Sequence, residues 1–244
     1  MEEALPPQFE RTRILLDADE QAKLAQAHVL VAGLGGVGSY CAEALARAGV
    51  GRLTLIDHDV VAQSNINRQL PALLSTVGQP KAEVMAARIR DINPDCKLVV
   101  LREFLVPETV ADIVPDDVDF VVDCIDSLNC KVALVASSVQ RGLRVASSMG
   151  AGNKLDPTRI KLADISKTSM CPLAAVMRKR LRKRGIAKGV LTVFSDEAGR
   201  DPLPPQPVEG RGRARAVNGT ISYMPPLFGL MLAGAVVQRL IAQT

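Results

Sequence analysis

Short hydrophobic runs alternate with stretches of helical spacing over residues 28–150. The runs predict buried strands at residues 28–33, 52–57, 97–104, 118–126 and 143–150. Apolar residues three and four positions apart predict helices at residues 37–49, 80–93, 107–114 and 129–141. Because strands and helices of this length alternate, the pattern predicts a parallel sheet with helices on both faces.

The pattern changes beyond residue 150. It predicts strands at residues 159–166 and 190–197, a basic helix at 172–184 and a final helix that begins near Pro225. Residues 198–219 are rich in Pro, Gly and Arg and lack periodicity, so we expect a long surface loop there. We therefore expect one α/β domain over residues 1–244. Its sheet is doubly wound and mostly parallel (Rossmann-like), followed by a C-terminal extension and a buried or interface helix.

Composition is that of a soluble globular protein, with 48% hydrophobic and 23% charged residues in a chain of 244. The longest uninterrupted apolar run, Met224 to Val237, is shorter than the roughly 20 residues that cross a bilayer. No secretory signal pattern is found, and we expect a cytoplasmic protein without a membrane span. The 5 cysteines include no C-x-x-C pair, which argues against a disulfide framework and a structural zinc site.

A glycine-rich loop, "GLGGVGS", joins the first predicted strand to the first predicted helix. Such glycines allow a tight turn, and the helix N-terminus offers free N–H groups to a phosphate. Asp57 follows at the end of the second strand, where a carboxylate accepts hydrogen bonds from ribose hydroxyls. The loop predicts a bound adenine nucleotide, but it does not distinguish NAD, FAD and ATP. The alternative is a glycine turn required only for helix packing. The glycines concerned are Gly33, Gly35, Gly36 and Gly38.

More polar side chains follow this loop than a plain strand-to-helix connection requires. Arg68 is suited to grip phosphate oxygens in a bidentate manner, and Lys81 lies at the start of the next helix. In "DCIDS", Asp123 and Asp126 end the fourth strand, where a carboxylate can hold Mg²⁺ against a triphosphate. These groups suit phosphate chemistry rather than hydride transfer. The stretch before Arg68 adds Asp59, Asn65 and Asn67.

The motifs "GLGGVGS", "LIDHD", "SNINRQ", "VGQPKAE" and "DCIDS" resemble, in this order, those of the ubiquitin-activating-type adenylating enzymes. The resemblance implies that ATP and Mg²⁺ are used to form an acyl-adenylate from a carboxylate. It implies catalytic roles for Arg68, Lys81 and Asp126, with Asp126 binding the metal, and for Arg11 in "FERTRILL", which would reach a neighbouring subunit's ATP site. The implied nucleotide-binding residues are Gly33, Gly35, Gly36, Gly38, Asp57, Asp59, Asn65, Arg68, Gln69 and Lys81.

Sequences in the second half are similar to one subfamily, the tRNA threonylcarbamoyladenosine dehydratases. The similar segments are "GAGNKLDPTRIKLADISKTSMCPLAAVMRKRLRKRGI" and "GTISYMPPLFGLMLAG". This resemblance implies that residues 28–150 bind the nucleotide, and that residues 151–244 bind tRNA and form a homodimer through the final helix. The substrate would be the modified adenosine beside the tRNA anticodon, which is cyclised with loss of water. The subfamily is also associated with a monovalent cation and a cysteine desulfurase or sulfur-acceptor system, which the sequence leaves open.

The basic helix is consistent with a tRNA partner. Between Asp164 and Asp196 the chain has no acidic residue, although its net charge is only +4. The alternative for this helix is an ordinary solvated surface. Arg211, Arg213 and Arg215 could extend the footprint, or belong to a linker. The proposed tRNA-binding residues are Arg178, Lys179, Arg180, Arg182, Lys183 and Arg184.

Two rival functions remain from the sequence. One is an activator of a ubiquitin-like sulfur carrier, which would use the same ATP site but bind a protein tail. The other is an NAD-dependent oxidoreductase. Among the cysteines, Cys171 is the best candidate for an exposed thiol and Cys124 is expected in the core. We expect no covalent cysteine step, and we expect His58 only to line the nucleotide pocket.

Overall fold

The computed structural model describes residues 6–206 and 215–242. Its strands in this part of the chain are β1 (His28–Ala32), β2 (Arg52–Ile56), β3 (Lys97–Leu101), β4 (Phe120–Asp123), β5 (Arg144–Ser148), β6 (Ile160–Asp164) and β7 (Leu191–Ser195). Together they form one sheet in the order β3-β2-β1-β4-β5-β7-β6. All neighbours are parallel except β6, which pairs antiparallel with β7. The predicted mostly parallel sheet is confirmed.

Helices connect these strands at the predicted places. They are α2 (Gly38–Arg47), α3 (Lys81–Ile92), α4 (Val110–Ile113), α5 (Leu128–Gln140), α6 (Pro172–Arg182) and α7 (Met224–Ile241), preceded by α1 (Ala18–Gln26). The hydrophobic pattern did not predict α1. Its signal was a capping box, in which Asp17 accepts from the amide of Glu20 and Glu20 accepts from the amide of Asp17.

Each face of the sheet carries its own hydrophobic core. Strand β1 shows the division, because its side chains alternate between the two faces. Val29 and Val31 pack with α2, α3 and α7, whereas Leu30 and Ala32 pack with α5 and α6. Helices on both faces explain why these strands are apolar along their whole length. The doubly wound α/β fold is therefore confirmed.

The last helix packs closely against the glycine-rich loop. A Cβ on Gly229 would lie 2.2 Å from the carbonyl oxygen of Val37, so only glycine permits this approach. By length and composition α7 could cross a membrane, but 50% of it is buried inside the protein. Its 18 residues exceed the 14-residue apolar run, because Gln238 and Arg239 continue the helix on its exposed side. The expectation of a buried helix is confirmed for one face of α7.

Two predictions about the loops were wrong. Within the expected structureless segment 198–219, β8 (Leu203–Gln206) pairs antiparallel with β9 (Arg215–Val217). Two prolines in β8 hid this strand, because proline cannot donate to a sheet ladder. Strands β3 and β4 also end three residues earlier than predicted, so Phe104 and Asp126 lie in loops. Arg211 and Arg213 lie outside the described residues, and so does the side chain of Arg215.

Gly229→Ala should destabilise the protein, because its new methyl group collides with the backbone before α2. We expect a loss of about 1–3 kcal/mol in the free energy of unfolding, measured by urea denaturation. Gly234→Ala on the same helix is the matched control. Nothing lies within 4 Å of its added Cβ, and the better helix propensity of alanine should stabilise the fold by about 1 kcal/mol. Equal effects of the two substitutions would contradict the close α2–α7 contact.

Candidate active site

A cleft of about 420 Å³ opens at the carboxyl ends of the parallel strands. It lies between β1 and β4, where the order of successive strands reverses direction across the sheet. Open α/β sheets bind ligands at this position. The loops after β1, β2 and β4 supply its walls, and Pro225 of α7 lines another side. The strand order therefore brings together the motifs that are far apart in the sequence.

The glycine-rich loop is held by backbone contacts that exclude larger residues. Gly33 has a φ of 86°, and a Cβ there would lie 2.7 Å from the carbonyl oxygen of Cys124. A Cβ on Gly38 would lie 1.8 Å from the carbonyl oxygen of Gly33. Gly33, Gly35 and Gly36 line the cleft, whereas Gly38 packs the start of α2 against the strand. Gly33, Gly35 and Gly36 are thus accessible to a nucleotide, whose binding stays a prediction, whereas the structure gives Gly38 a packing role.

The start of α2 is suited to bind an anion. No side chain caps its N-terminal N–H groups, and the helix dipole places partial positive charge at this end. Since Gly35, Gly36 and Val37 line the cleft, a phosphate bound there can accept hydrogen bonds from the backbone. This arrangement needs no cationic side chain.

Asp57 performs a structural task beside the expected ribose contact. One carboxylate oxygen accepts from the amide of Leu34 at 2.6 Å, and the other accepts from the amide of Asp59 at 2.8 Å. The carboxylate thus ties the end of β2 to the glycine-rich loop. Asp57 also lines the cleft, where the sequence places it, and the ribose contact stays a prediction.

Lys81 is buried and forms an ion pair with Asp59. Its Nζ atom lies 2.7 Å from Asp59 Oδ2, and His58 Nε2 lies 3.1 Å from Asp59 Oδ1. All three residues line the cleft. His58 also packs edge-on against Phe104, with ring centroids 4.6 Å apart. In this structure Asp59 therefore contacts another protein side chain rather than a ligand, and it holds the Lys81 ammonium at the edge of the cleft.

Arg68 is oriented by its own loop. Its Nη1 atom donates to the carbonyl oxygen of Ser64 at 2.9 Å and to Asn67 Oδ1 at 2.8 Å. The guanidinium keeps further donors for a ligand. Gln69 lines the cleft beside it, and its buried Oε1 atom has no hydrogen-bond partner among the described residues. This acceptor is therefore available to a hydrogen-bond donor of a bound ligand.

Asn65 does not line the cleft. Its Oδ1 atom accepts from the amide of Ala62 at 3.1 Å and closes the turn that precedes Arg68. The prediction that Asn65 contacts the nucleotide therefore has no support in this geometry. The reason is local, because asparagine side chains readily bond to backbone groups in turns. Asn67 instead donates to the carbonyl oxygen of Thr220 at 3.0 Å.

The two aspartates of "DCIDS" differ completely in their surroundings. Asp126 is exposed at the cleft, and its carboxylate has no hydrogen bond or ion pair among the described residues. Asp123 is 0% exposed and accepts from Lys131 Nζ at 2.7 Å and from Ser147 Oγ at 2.6 Å. Only Asp126 is therefore available to a metal ion. Sequence reasoning missed Lys131, although it lies eight residues after Asp123, where the next helix passes over the strand end.

The residues Asp57, His58 and Asp59 form a second group with the spacing of metal ligands, within 4.8 Å of one another. Their oxygen atoms already accept hydrogen bonds from two backbone amides and from Lys81. This group is therefore a poorer metal site than the free carboxylate of Asp126. Mg²⁺ prefers oxygen ligands and retains several waters, which an exposed aspartate permits.

One expectation about the cysteines was wrong, and another is confirmed in part. Cys171 is buried rather than exposed, because it packs beneath the start of α6. Cys124 packs against one hydrophobic core, as expected, but it is only half-buried because it follows β4 and also lines the cleft. Burial raises the pKa of the Cys124 thiol to about 12, so the thiol is protonated at neutral pH and is a weak nucleophile. The location of His58 at the pocket is confirmed.

The basic helix α6 presents most of its cations to solvent, and none of them lines the nucleotide cleft. Arg178 differs from the others, because its Nη1 atom donates to the carbonyl oxygen of Thr168 at 2.9 Å. Arg180 donates to Asn129 Oδ1 of α5. These two arginines therefore help to hold α6 in place. The exposed cations are Lys179, Arg180, Arg182, Lys183 and Arg184.

Arg11 is exposed and does not line the cleft of its own chain. It lies in a short helical segment close to Ile14 and Leu15, whose side chains are also exposed. Any contribution of Arg11 to an ATP site must therefore come from a second chain or from a rearrangement of this segment.

Comparisons with known proteins agree with this architecture. The model of the ThiF family matches residues 9–244. The tRNA threonylcarbamoyladenosine dehydratase of Bacillus subtilis (strain 168) is 43% identical over 240 residues, which cover 96% of this chain and 94% of that protein. The crystal structure of E. coli tRNA N6-threonylcarbamoyladenosine dehydratase, TcdA, in complex with ATP is similar with a TM-score of 0.83 and 38% identity, covering 96% of this chain and 94% of that one.

A sulfur-carrier activator matches less of the chain. The sulfur carrier protein ThiS adenylyltransferase of Escherichia coli (strain K12) is 38% identical over 148 residues, which cover 59% of this chain and 59% of that protein. The similarity to dehydratases thus extends over nearly the whole chain, including the part that forms α6 and α7.

Lys131→Met should destabilise the fold strongly, since it leaves the buried Asp123 carboxylate without a counterion. We expect a loss of about 3–5 kcal/mol in the free energy of unfolding, measured by urea denaturation. The double variant Asp123→Asn/Lys131→Met removes both charges and should recover most of that loss. A single variant that loses less than about 1 kcal/mol would show that the pair is open to solvent.

Proposed function

We propose that this chain, which belongs to the ThiF family, is an ATP-dependent dehydratase of threonylcarbamoyladenosine in tRNA. One observation carries the proposal. The cleft gathers a phosphate-binding loop, Arg68, Lys81 and the free carboxylate of Asp126, in a chain that resembles dehydratases over 96% of its length. The cleft residues suit ATP chemistry, and the similarity to dehydratases suggests that the substrate is tRNA.

The chemistry begins with attack of the threonylcarbamoyl carboxylate on the α-phosphorus of ATP. An acyl-adenylate and pyrophosphate form, and a nucleophile within the same modified group then attacks the activated carboxyl carbon and closes a ring. AMP leaves with one oxygen of the former carboxylate, so the net result is loss of water. Holding the reacting groups together in one cleft makes the second step intramolecular.

The protein contributes positive charge and fixed donors to the first step. The start of α2 and Arg68 can bind phosphate oxygens, and Lys81 lies close enough to the cleft to share its ammonium between Asp59 and a phosphate. Each group neutralises charge that develops as the pyrophosphate leaves. Because Asn67 and Ser64 already orient Arg68, little reorganisation accompanies binding.

Asp126 would hold Mg²⁺, and its free, exposed carboxylate fits that role. When bound, Mg²⁺ supplies Lewis-acid stabilisation of the phosphate oxygens. The unpaired acceptor of Gln69 would take a hydrogen bond from the adenosine half of the nucleotide, and Asp57 would accept a hydrogen bond from the ribose.

The exposed cations of α6 support the tRNA part of the proposal. Lys179, Arg182 and Lys183 are solvent-exposed without an ion-pair partner among the described residues. A nucleic acid would supply phosphates to them. We place the protein in the cytoplasm for the same reason, since its substrate is tRNA. A cysteine desulfurase or sulfur-acceptor partner and a monovalent cation stay predictions.

A homodimer would complete the ATP site with Arg11. The support is the exposed N-terminal segment, in which Ile14 is 72% and Leu15 is 84% exposed. These two adjacent apolar side chains would be shielded from water if a partner chain packed against this segment. On α7, Leu230 is also exposed, which is consistent with the predicted contact through the final helix.

The function is tested by incubating the protein with Mg-ATP and tRNA that carries threonylcarbamoyladenosine, followed by nucleoside mass spectrometry. We expect the modified nucleoside to lose the mass of one water. Asp126→Asn should slow this reaction at least about a hundredfold, because the metal loses its protein ligand, whereas Asp95→Asn, an exposed control, should not. Unchanged tRNA combined with adenylation of a sulfur-carrier tail would instead support the rival activator.

Neutralising Arg182 and Lys183 should weaken tRNA binding without affecting nucleotide binding. In the variant Arg182→Gln/Lys183→Gln, we expect the slope of log affinity against log salt to fall by about 0.7–0.9 for each phosphate that is no longer neutralised. The control Arg90→Gln/Lys97→Gln removes two exposed charges from another surface. If tRNA affinity depended on salt equally in both variants, α6 would not be a tRNA-binding surface but an ordinary solvated helix.

Arg11 is tested by subunit complementation. Arg11→Ala and Arg68→Ala chains should each be inactive alone, but their mixed dimer contains one complete site. Co-expressed chains should therefore recover about a quarter of wild-type activity, since half of the dimers are mixed and half of their sites are intact. No recovery would contradict a contribution of Arg11 across the dimer.

A further inference from the structure

A second cavity, of about 360 Å³, adjoins the nucleotide cleft. The two share Asn218 and Thr220 as lining residues, so the wall between them is formed by the segment that precedes α7. Asn67 donates to the carbonyl oxygen of Thr220 and accepts from Arg68, so this wall is connected to the arginine of the nucleotide site. A group bound in the second cavity would therefore lie next to the nucleotide cleft.

The second cavity is lined by a buried cation, Lys154. This residue is 5% exposed, and its Nζ atom donates to the carbonyl oxygens of Ser195 at 3.3 Å and Glu197 at 2.6 Å. In the described part of the chain no carboxylate lies within ion-pair distance of it. An ammonium group has three donors, so the two carbonyls leave one donor without a partner in the described part of the chain, and Asp201, which also lines the cavity, forms no ion pair with it.

Glu197, whose backbone carbonyl accepts from Lys154, does not supply a counterion. The carboxylate of Glu197 accepts from the amide of Leu155 at 3.0 Å and from the amide of Asp156 at 2.9 Å. Burying a cation without a counterion costs free energy, and the two carbonyl hydrogen bonds offset only part of that cost. The burial of Lys154 is therefore explained best by an anion that is present only when a ligand is bound.

Strained backbone fixes the wall of this cavity. Asn153 has a φ of 61°, which is uncommon for a residue other than glycine. Its Nδ2 atom donates to Asn218 Oδ1 at 2.9 Å, and its Oδ1 atom accepts from the amide of Gly219 at 2.6 Å. Its own carbonyl accepts from the amide of Arg200. This one residue thus joins three segments around the cavity, and strain of this kind is typical of binding sites.

We propose that this second cavity binds the carboxylate-bearing nucleoside that is to be adenylated, with Lys154 attracting its carboxylate. The shared wall at Thr220 then directs the carboxylate to the α-phosphate, and Leu155 and Ile221 contact the aliphatic part of the ligand. The inference rests on the proposed function, because it names where the substrate of that reaction binds.

The probe is free threonylcarbamoyladenosine, compared with its neutral carboxylate methyl ester, in titration calorimetry with the full chain. The wild-type protein should bind the free carboxylate about tenfold to a hundredfold more tightly than the ester. Lys154→Met should lose this preference while it retains its affinity for ATP, and its melting temperature should fall because two carbonyls lose their donor. Lys188→Met, which removes an exposed lysine, should behave as wild type.

Equal binding of acid and ester by the wild type, or a preference retained in Lys154→Met, would overturn the assignment. Lys154→Gln, which keeps a donor for the two carbonyls, replaces Lys154→Met if the latter does not fold. This test does not depend on turnover. If the carboxylate preference holds but modified tRNA is left unchanged, the proposed dehydration fails while the binding site stands. If tRNA is dehydrated but Lys154→Met keeps the wild-type KM, the proposed dehydration stands and the assignment of the second cavity as the substrate site fails.

Discussion

The close contact of the glycine-rich loop with the backbone after β4 and with α7 is the constraint on which the site depends. Gly33 touches the carbonyl of Cys124, Gly38 touches the carbonyl of Gly33, and Gly229 of α7 touches the carbonyl of Val37. Each contact leaves no room for a Cβ. Together they bring the start of α2, the loop that carries Asp126 and the wall before α7 around one cleft, and Asp57 adds a hydrogen bond that locks the loop to β2.

Charge is distributed unevenly around this frame. Two buried cations around the cleft are paired with carboxylates: Lys131 with Asp123, and Lys81 with Asp59. Where a ligand is expected, groups are left over: the carboxylate of Asp126, the acceptor of Gln69 and the cation of Lys154. In the proposed function, a metal ion, a hydrogen-bond donor of the nucleotide and the carboxylate of the substrate would complement these three groups in turn. Paired polar groups therefore stabilise the fold, whereas the unpaired ones are available to a ligand.

Much of the fold could be predicted from the sequence, because buried parallel strands are uniformly apolar and their helices have clear periodicity. The glycine loop, Asp57, Arg68, Lys81 and Asp126 could also be placed, since strand order brings the ends of β1, β2 and β4 together. Asn65 was assigned to the ligand although it closes its own turn, because sequence does not show which partner a side chain selects. Lys131 and Lys154 were missed for a related reason: a lone lysine gives no sign of burial until its partners are known. The pairing of β8 with β9 was hidden by prolines.

Transfer of an oxygen atom would show whether the substrate carboxylate attacks the α-phosphorus of ATP. The carboxylate of the threonylcarbamoyl group would be labelled with heavy oxygen, and the nucleotide products of one turnover would be examined by mass spectrometry. The account predicts one labelled oxygen in AMP and none in pyrophosphate, because the bond from the carboxylate oxygen to phosphorus survives ring closure. Label in inorganic phosphate together with release of ADP, or no label in any nucleotide product, would contradict it.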